Sequence, residues 1–198
     1  MKYIFFDIET TGLDRFSDRI ICYCILDEED KLYVDTVKTS RVDNKAEEEI
    51  LLSLHKNLEH LLRFPQIRVF TFNGEYFDLP FVKCRALHHF FCGSGLDEFA
   101  KLYEMINVLQ SKNIDYMRLI EADFLAPYWD RKNTWSLDKL AKFVGVDHRS
   151  ELDGSKVNQL LVEGKIKQIE EHCIDDVKAL KSIHKNLYPF LRKHMQSG

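Results

Sequence analysis

Apolar and polar positions change period several times along the chain, and each change marks an element. Residues 3–9, YIFFDIE, run four large apolar residues into two acids and read as a strand, with Gly12 and Asp14 marking the turn that follows. RIICYCIL (19–26) and KLYVDTV (31–37) read as a second and a third strand, and the acidic DEED (27–30) between them as a solvated hairpin turn. From 45 to 63 the period becomes helical. Ile50, Leu51, Leu54, Leu58, Leu61 and Leu62 form one stripe, closed by Pro65. IRVFTF (67–72) is a fourth strand, bounded by Asn73-Gly74. A helix starts near Leu79-Pro80, because proline suits a first helical turn. Another helix covers about 97–110, and a short strand precedes Asp115. TWSLDKLAKFVG (134–145) has a cap in Thr134 or Ser136, a stripe in Leu137, Leu140, Ala141 and Val144, and a stop in Gly145. The last helix runs over 166–187 with Ile169, Cys173, Val177, Leu180 and Ile183 on its apolar side. An antiparallel start followed by alternating helices and strands predicts an α/β fold, a mixed sheet flanked by helices.

Composition narrows this picture. A chain of 198 residues, 45% hydrophobic and 30% charged, is expected to form one domain over 1–198. No apolar run approaches the ~20 residues that span a bilayer, and no signal-peptide pattern opens the chain, so a cytoplasmic protein without membrane contact is expected. The five cysteines are odd in number and form no CxxC pair, which favours reduced thiols. Cys84, His88, His89 and Cys92 cluster in CRALHHFFC, but their spacing matches no zinc motif, and core packing is the preferred reading. A net charge of -4 argues against a nucleic-acid coat protein, which would carry a basic footprint. It leaves a nuclease open, since four clustered carboxylates would account for all of it.

Four acids carry the candidate chemistry. Residues two apart in a strand point the same way, so Asp7 and Glu9 converge on one face. Two carboxylates held together are unfavourable unless a cation sits between them, and Mg²⁺ binds well through a few carboxylates plus substrate phosphates. Asp78 follows a strand end and precedes a helix, where a helix cap competes as an explanation. In EEHCIDDVKAL, His172 and Asp176 lie one helical turn apart on one face, beside the apolar stripe.

These segments resemble the three motifs of the DEDD superfamily of exonucleases, which have the RNase H-like fold. FDIETTGL is similar to the first, NGEYFD to the second and HCIDD to the third, with His172 in place of tyrosine. TWSLDKLAKFVG and LDGSKV further resemble the stand-alone YprB-type subgroup. The resemblance implies a 3′–5′ exonuclease that acts on single-stranded DNA or RNA 3′ ends with two Mg²⁺ or Mn²⁺ ions. It assigns Asp7, Glu9, Asp78 and Asp176 as metal ligands and His172 as the residue that orients or deprotonates the attacking water. It also implies that Thr10, Thr11, Gly12 and Leu13 meet the terminal nucleotide, with Asn73 and Phe77 of the second motif beside them. Asp175 is a rival for Asp176, but the residue four before it is Glu171, a poor match. Plain turn chemistry also explains Thr-Thr-Gly. Trp135, Tyr128 and Trp129 suit base stacking less than core packing, and Arg131 and Lys132 are either phosphate contacts or surface charge. A structure-selective endonuclease and a non-catalytic nucleic-acid-binding module are the alternatives.

Overall fold

The computed structural model describes residues 1–124, 135–148 and 156–195. Five strands, β1 (Lys2–Thr10), β2 (Ile20–Asp27), β3 (Leu32–Thr36), β4 (Ile67–Thr71) and β5 (Asn113–Asp115), form one sheet in the order β3-β2-β1-β4-β5. β1 pairs antiparallel with β2, and β2 with β3, while β1 with β4 and β4 with β5 are parallel. The helices are α1 (Asn44–Leu61), α2 (Asp78–Cys92), α3 (Asp97–Ser111), α4 (Tyr116–Phe124), α5 (Leu137–Phe143), α6 (Val157–Val162) and α7 (Ile166–Met195). This is the mixed sheet flanked by helices that the sequence pattern predicts, in keeping with the RNase H-like fold that the resemblance implies. No described helix is long and apolar enough to cross a membrane.

β1 lies at the centre and is covered on both faces. Tyr3 and Phe5 meet His184 of α7 with ring centroids 5.2 and 5.4 Å apart. The opposite face turns toward α1: Tyr23, which pairs with Ile8 across the β1–β2 ladder, places its hydroxyl 2.8 Å from Ser53 and accepts from Asn57. Helix boundaries follow their caps. Asp43 accepts from Ala46 N at 3.0 Å to open α1, and Ser136 accepts from Lys139 N to open α5, while Thr134 lies outside the described residues. α7 continues past 187 to Met195 despite Pro189, and Tyr188 stacks on His184 within it. The short helices α4 and α6 carry too few periodic positions to be read from pattern alone.

One sequence expectation changes. The DEED turn is not simply solvated. Asp27 is fully buried; its Oδ1 accepts from Glu29 N and Lys31 N, and Lys2 Nζ lies 2.9 Å from its Oδ2. Lys181 of α7 then donates to Asp27 O, Glu28 O and Asp30 Oδ1, so this hairpin anchors the helix across the sheet. His89, from the suspected zinc cluster, is a core residue as preferred. Its Nε2 lies 2.8 Å from Glu47 Oε2, and Glu47 is also held by Arg85 at 2.7 Å. Glu47 accepts from Ile20 N, and Arg85 donates to Phe16 O, so the network pins both β2 and the β1–β2 turn. Trp135 packs edge-on against Phe143, in keeping with a packing role; Tyr128, Trp129, Arg131 and Lys132 lie outside the described residues.

His184 generates a stability test. It is buried among Tyr3, Phe5, Phe70 and Tyr188, its Nδ1 is 2.8 Å from Tyr116 Oη, and burial lowers its pKa to about 4. The unfolded chain therefore binds a proton that the folded chain refuses between about pH 6.5 and 4, and stability falls as pH falls through that window. His184→Phe is expected to remove up to about 3 kcal/mol of this acid loss, read as the wild-type-minus-variant difference in urea unfolding at pH 7 and pH 4. Identical pH dependence in both proteins would show that His184 does not carry it.

Candidate active site

The sheet register builds the site. Asp7 pairs with Cys24 and Glu9 with Cys22 across β1–β2, so two acids and two thiols share the face that α7 covers. The register then shifts between Glu9 and Thr10, where Ile21 of β2 is the extra residue and Thr10 pairs with Ile20. Asp78 reaches in from the first turn of α2, where its Oδ1 accepts from Ile8 N of β1 at 3.1 Å. Its carboxylate thus points at the central strand and not along its own helix, where no side chain caps the N-terminus. Asp115, which the sequence reading passed over, holds the turn before α2. It accepts from Asn73 N, Glu75 N and Met117 N, and Asn73 there adopts φ 63°. Gly74 is required in that turn, because a Cβ would stand 2.5 Å from the Thr71 side chain.

α7 supplies the third segment. His172 Nε2 lies 3.6 Å from Glu9 Oε1, and its Nδ1 lies 3.6 Å from Asp176 Oδ1. Asp176 faces the cluster with its side chain 20% exposed. Asp175 is 63% exposed and turns to Lys178. Asp7, Glu9, Asp78, His172 and Asp176 therefore converge. Two further residues join them without a sequence signal. His148, in the segment after α5, has its Nε2 3.4 Å from Asp176 Oδ1 and 3.2 Å from Asp138 Oδ1. Cys173, read only as a stripe position, points its Sγ at Asp7 Oδ2 from 3.5 Å.

Burial and mutual repulsion set the electrostatics. Burial first, then the charges of Asp78, Glu9 and Asp176, push the Asp7 carboxyl well above the usual range. Glu9 is raised by burial and by Asp176, and burial raises Asp78 to about 7. The Asp176 carboxylate holds the His148 imidazole above its ordinary value, against the effect of burial. Asp176 Oδ1 is buried and faced by His148 Nε2 at 3.4 Å and His172 Nδ1 at 3.6 Å. A buried donor set so rich in carboxylates fits a divalent cation.

The turn after the acids is tightly bonded. Thr10 Oγ1 donates to Gly12 O, Thr11 Oγ1 donates to Asp18 Oδ1, and Thr11 Oγ1 accepts from Arg19 N. Gly12 has no room for a Cβ, which would lie 2.4 Å from Asp18 Oδ2. Leu13 is 84% exposed. Phe77 precedes Asp78 and packs on Phe81 at 5.4 Å.

Residues 13–180 match the family model of predicted 3′–5′ exonucleases related to the exonuclease domain of PolB. The chain belongs to this family. As a PolB-related exonuclease domain, it shares its fold with larger proteins. It resembles the family B DNA polymerase of the hyperthermophilic archaeon Pyrobaculum calidifontis with a TM-score of 0.71 and 18% identity, over 96% of this chain and 25% of the polymerase. A product-bound exonuclease I gives a TM-score of 0.59 at 15% identity, over 99% of this chain and 46% of the other. Exonuclease I of E. coli in complex with a dT13 oligonucleotide gives 0.57 at 15%, over 98% and 43%. The chain thus spans a quarter of the polymerase and under half of exonuclease I. No curated protein matches it.

For this PolB-related domain, Asp78→Asn is expected to stabilise the protein in EDTA. The folded carboxyl titrates near 7, well above the unfolded value of about 4, so the wild type loses stability as pH rises between them. Asparagine keeps the acceptor for Ile8 N and removes the charge. Urea unfolding should show a gain on the order of 2 kcal/mol at pH 8 that vanishes toward pH 4. Equal destabilisation at both pH values would contradict the assigned electrostatics.

Proposed function

We propose that the protein is a 3′–5′ exonuclease that hydrolyses single-stranded DNA or RNA from the 3′ end to 5′-mononucleotides, its whole chain of 198 residues acting as one domain. The observation that carries this reading is the convergence of Glu9, His172 and Asp176, whose donor atoms lie within 4.8 Å of one another beside Asp7. Within the family resemblance, Asp7, Glu9, Asp78 and Asp176 would hold two Mg²⁺ or Mn²⁺ ions, which would supply Lewis-acid stabilisation of the charge that develops in phosphodiester hydrolysis.

The chain's own groups do the rest. Cations held there would offset the repulsion among the carboxylates and draw a phosphate to the otherwise acidic pocket. His172, between Glu9 and Asp176, orients the attacking water and takes its proton. Water adds to the terminal phosphorus, the P–O3′ bond breaks, the O3′ oxyanion takes a proton from solvent, and the 5′-mononucleotide and a strand with a new 3′-hydroxyl are released. The hydroxyls of Thr10 and Thr11, Thr11 N and Gly12 O all hold the turn itself, so the exposed side chain of Leu13 is the part of this turn offered to the last nucleotide. The resemblance adds Asn73 and Phe77 of the second motif to the substrate contacts. The YprB-type resemblance supports a stand-alone enzyme, and the five free thiols accord with a cytoplasmic location.

Digestion of 5′-labelled DNA and RNA oligomers with Mg²⁺, Mn²⁺ or EDTA tests this. A ladder shortening from the 3′ end is expected with metal and none with EDTA. A single internal cut would instead indicate an endonuclease, and intact but retarded strands a binding module. Asp7→Ala is expected to abolish the ladder while the fold persists. Asp176→Asn should reduce turnover by orders of magnitude more than Asp175→Asn, since only Asp176 faces the cluster. The reverse ranking would place the third motif one residue off.

A further inference from the structure

Cys173 has no part in the hydrolysis, yet its thiol is aimed into the acidic pocket. It is fully buried on α7, and its Sγ approaches Asp7 twice, at 3.5 Å to Oδ2 and 3.8 Å to the backbone oxygen. A cysteine on an apolar stripe ordinarily meets apolar neighbours. This one meets a carboxylate, and Cys22 and Cys24, opposite Glu9 and Asp7 in the β-ladder, lie close beneath it. One donor atom each of Asp7, Glu9 and Cys173 fall within 4.8 Å of one another. Glu9 is 8% exposed, and its carboxylate faces both this group and His172, whose Nε2 lies 3.6 Å from its Oε1.

Oxygen donors alone suit Mg²⁺ and Mn²⁺, whereas a thiolate added to two carboxylates suits a softer ion. We propose that Asp7, Glu9 and Cys173 form a coordination site for a thiophilic divalent cation, Zn²⁺ or Cd²⁺, which overlaps the hard-ion position at Asp7 and Glu9 and excludes the hard ion from it. Two oxygens, one sulfur and a solvent molecule complete the four-coordinate set that Zn²⁺ prefers. On binding, the thiol loses its proton to solvent as the sulfur–metal bond forms, and no oxidation is involved. The consequence is an exonuclease whose activity is switched off by traces of soft metal. The proposal rests on the hydrolytic reading for its inhibitory consequence only; the site itself requires the geometry and nothing else.

The experiment uses the full chain with Cys84→Ser and Cys92→Ser, which remove the two cysteines outside the buried cluster. Cd²⁺ is added and the ultraviolet thiolate-to-cadmium charge-transfer absorption is followed. A saturable band at one equivalent is expected, lost in Cys173→Ser and weakened at least tenfold in affinity in Asp7→Asn. Zinc absorption-edge scattering on the background protein, which needs no change at Cys173, should show one sulfur at about 2.3 Å among lighter ligands. A zinc shell without sulfur, a cadmium band that survives Cys173→Ser, or Cd²⁺ affinity unchanged by Asp7→Asn would each overturn the site. Failure of the hydrolytic reading looks different: no ladder with Mn²⁺, while the cadmium band remains.

Discussion

The structure is organised around an unfavourable arrangement: several carboxylates held together against the covered face of a central strand. Asp7 and Glu9 sit on β1, Asp78 reaches in from α2 and Asp176 from α7, and burial raises Asp7, Glu9 and Asp78 against ionisation. Like charges at such range destabilise a fold unless a cation intervenes. Each supporting element serves to hold the cluster in place. The hairpin bonds of Lys181 anchor α7, Asp115 fixes the turn before α2, and the register shift after Glu9 marks the end of the acidic stretch of β1.

The scaffold stores this repulsion by making everything around it rigid. The Glu47–Arg85–His89 network on the far side of the sheet is buried and fully paired, and it ties α1, α2, the start of β2 and Phe16 of the turn together. The turn that follows the acids cannot drift, because Thr11, Asp18 and Arg19 bond it closed and Gly12 has no space for a side chain. A site built on strand and helix ends, and bordered by a fixed turn, is suited to positioning a phosphodiester within the small tolerance that hydrolysis demands.

Much of this was legible in the sequence because the period of the pattern is strong where the chain is buried. YIFFDIE, RIICYCIL and IRVFTF become β1, β2 and β4, and the alternation in β1 places Asp7 and Glu9 on one face. The spacing of His172 and Asp176 carried over to a shared helix face. What was not legible depends on contacts between distant segments. DEED reads as solvent-facing because its composition is polar, and only the tertiary fold supplies Lys2 and Lys181. His148 sits in a stretch without periodicity, and its position beside Asp176 follows from how α5 packs on α7. Cys173 fits an apolar stripe, and nothing in that stripe shows that its sulfur turns toward Asp7.

The central claim is that a cation makes the carboxylate cluster tolerable, and calorimetric titration of Mn²⁺ at pH 6.5 addresses it most directly. The Asp78 carboxyl, raised by burial to about 7, holds a proton at that pH and must release it when the metal binds. The heat of binding should therefore vary with the ionisation enthalpy of the buffer, with proton release that shrinks in Asp78→Asn. Mn²⁺ that fails to bind the wild-type protein, or binds it without displacing protons, would contradict the account.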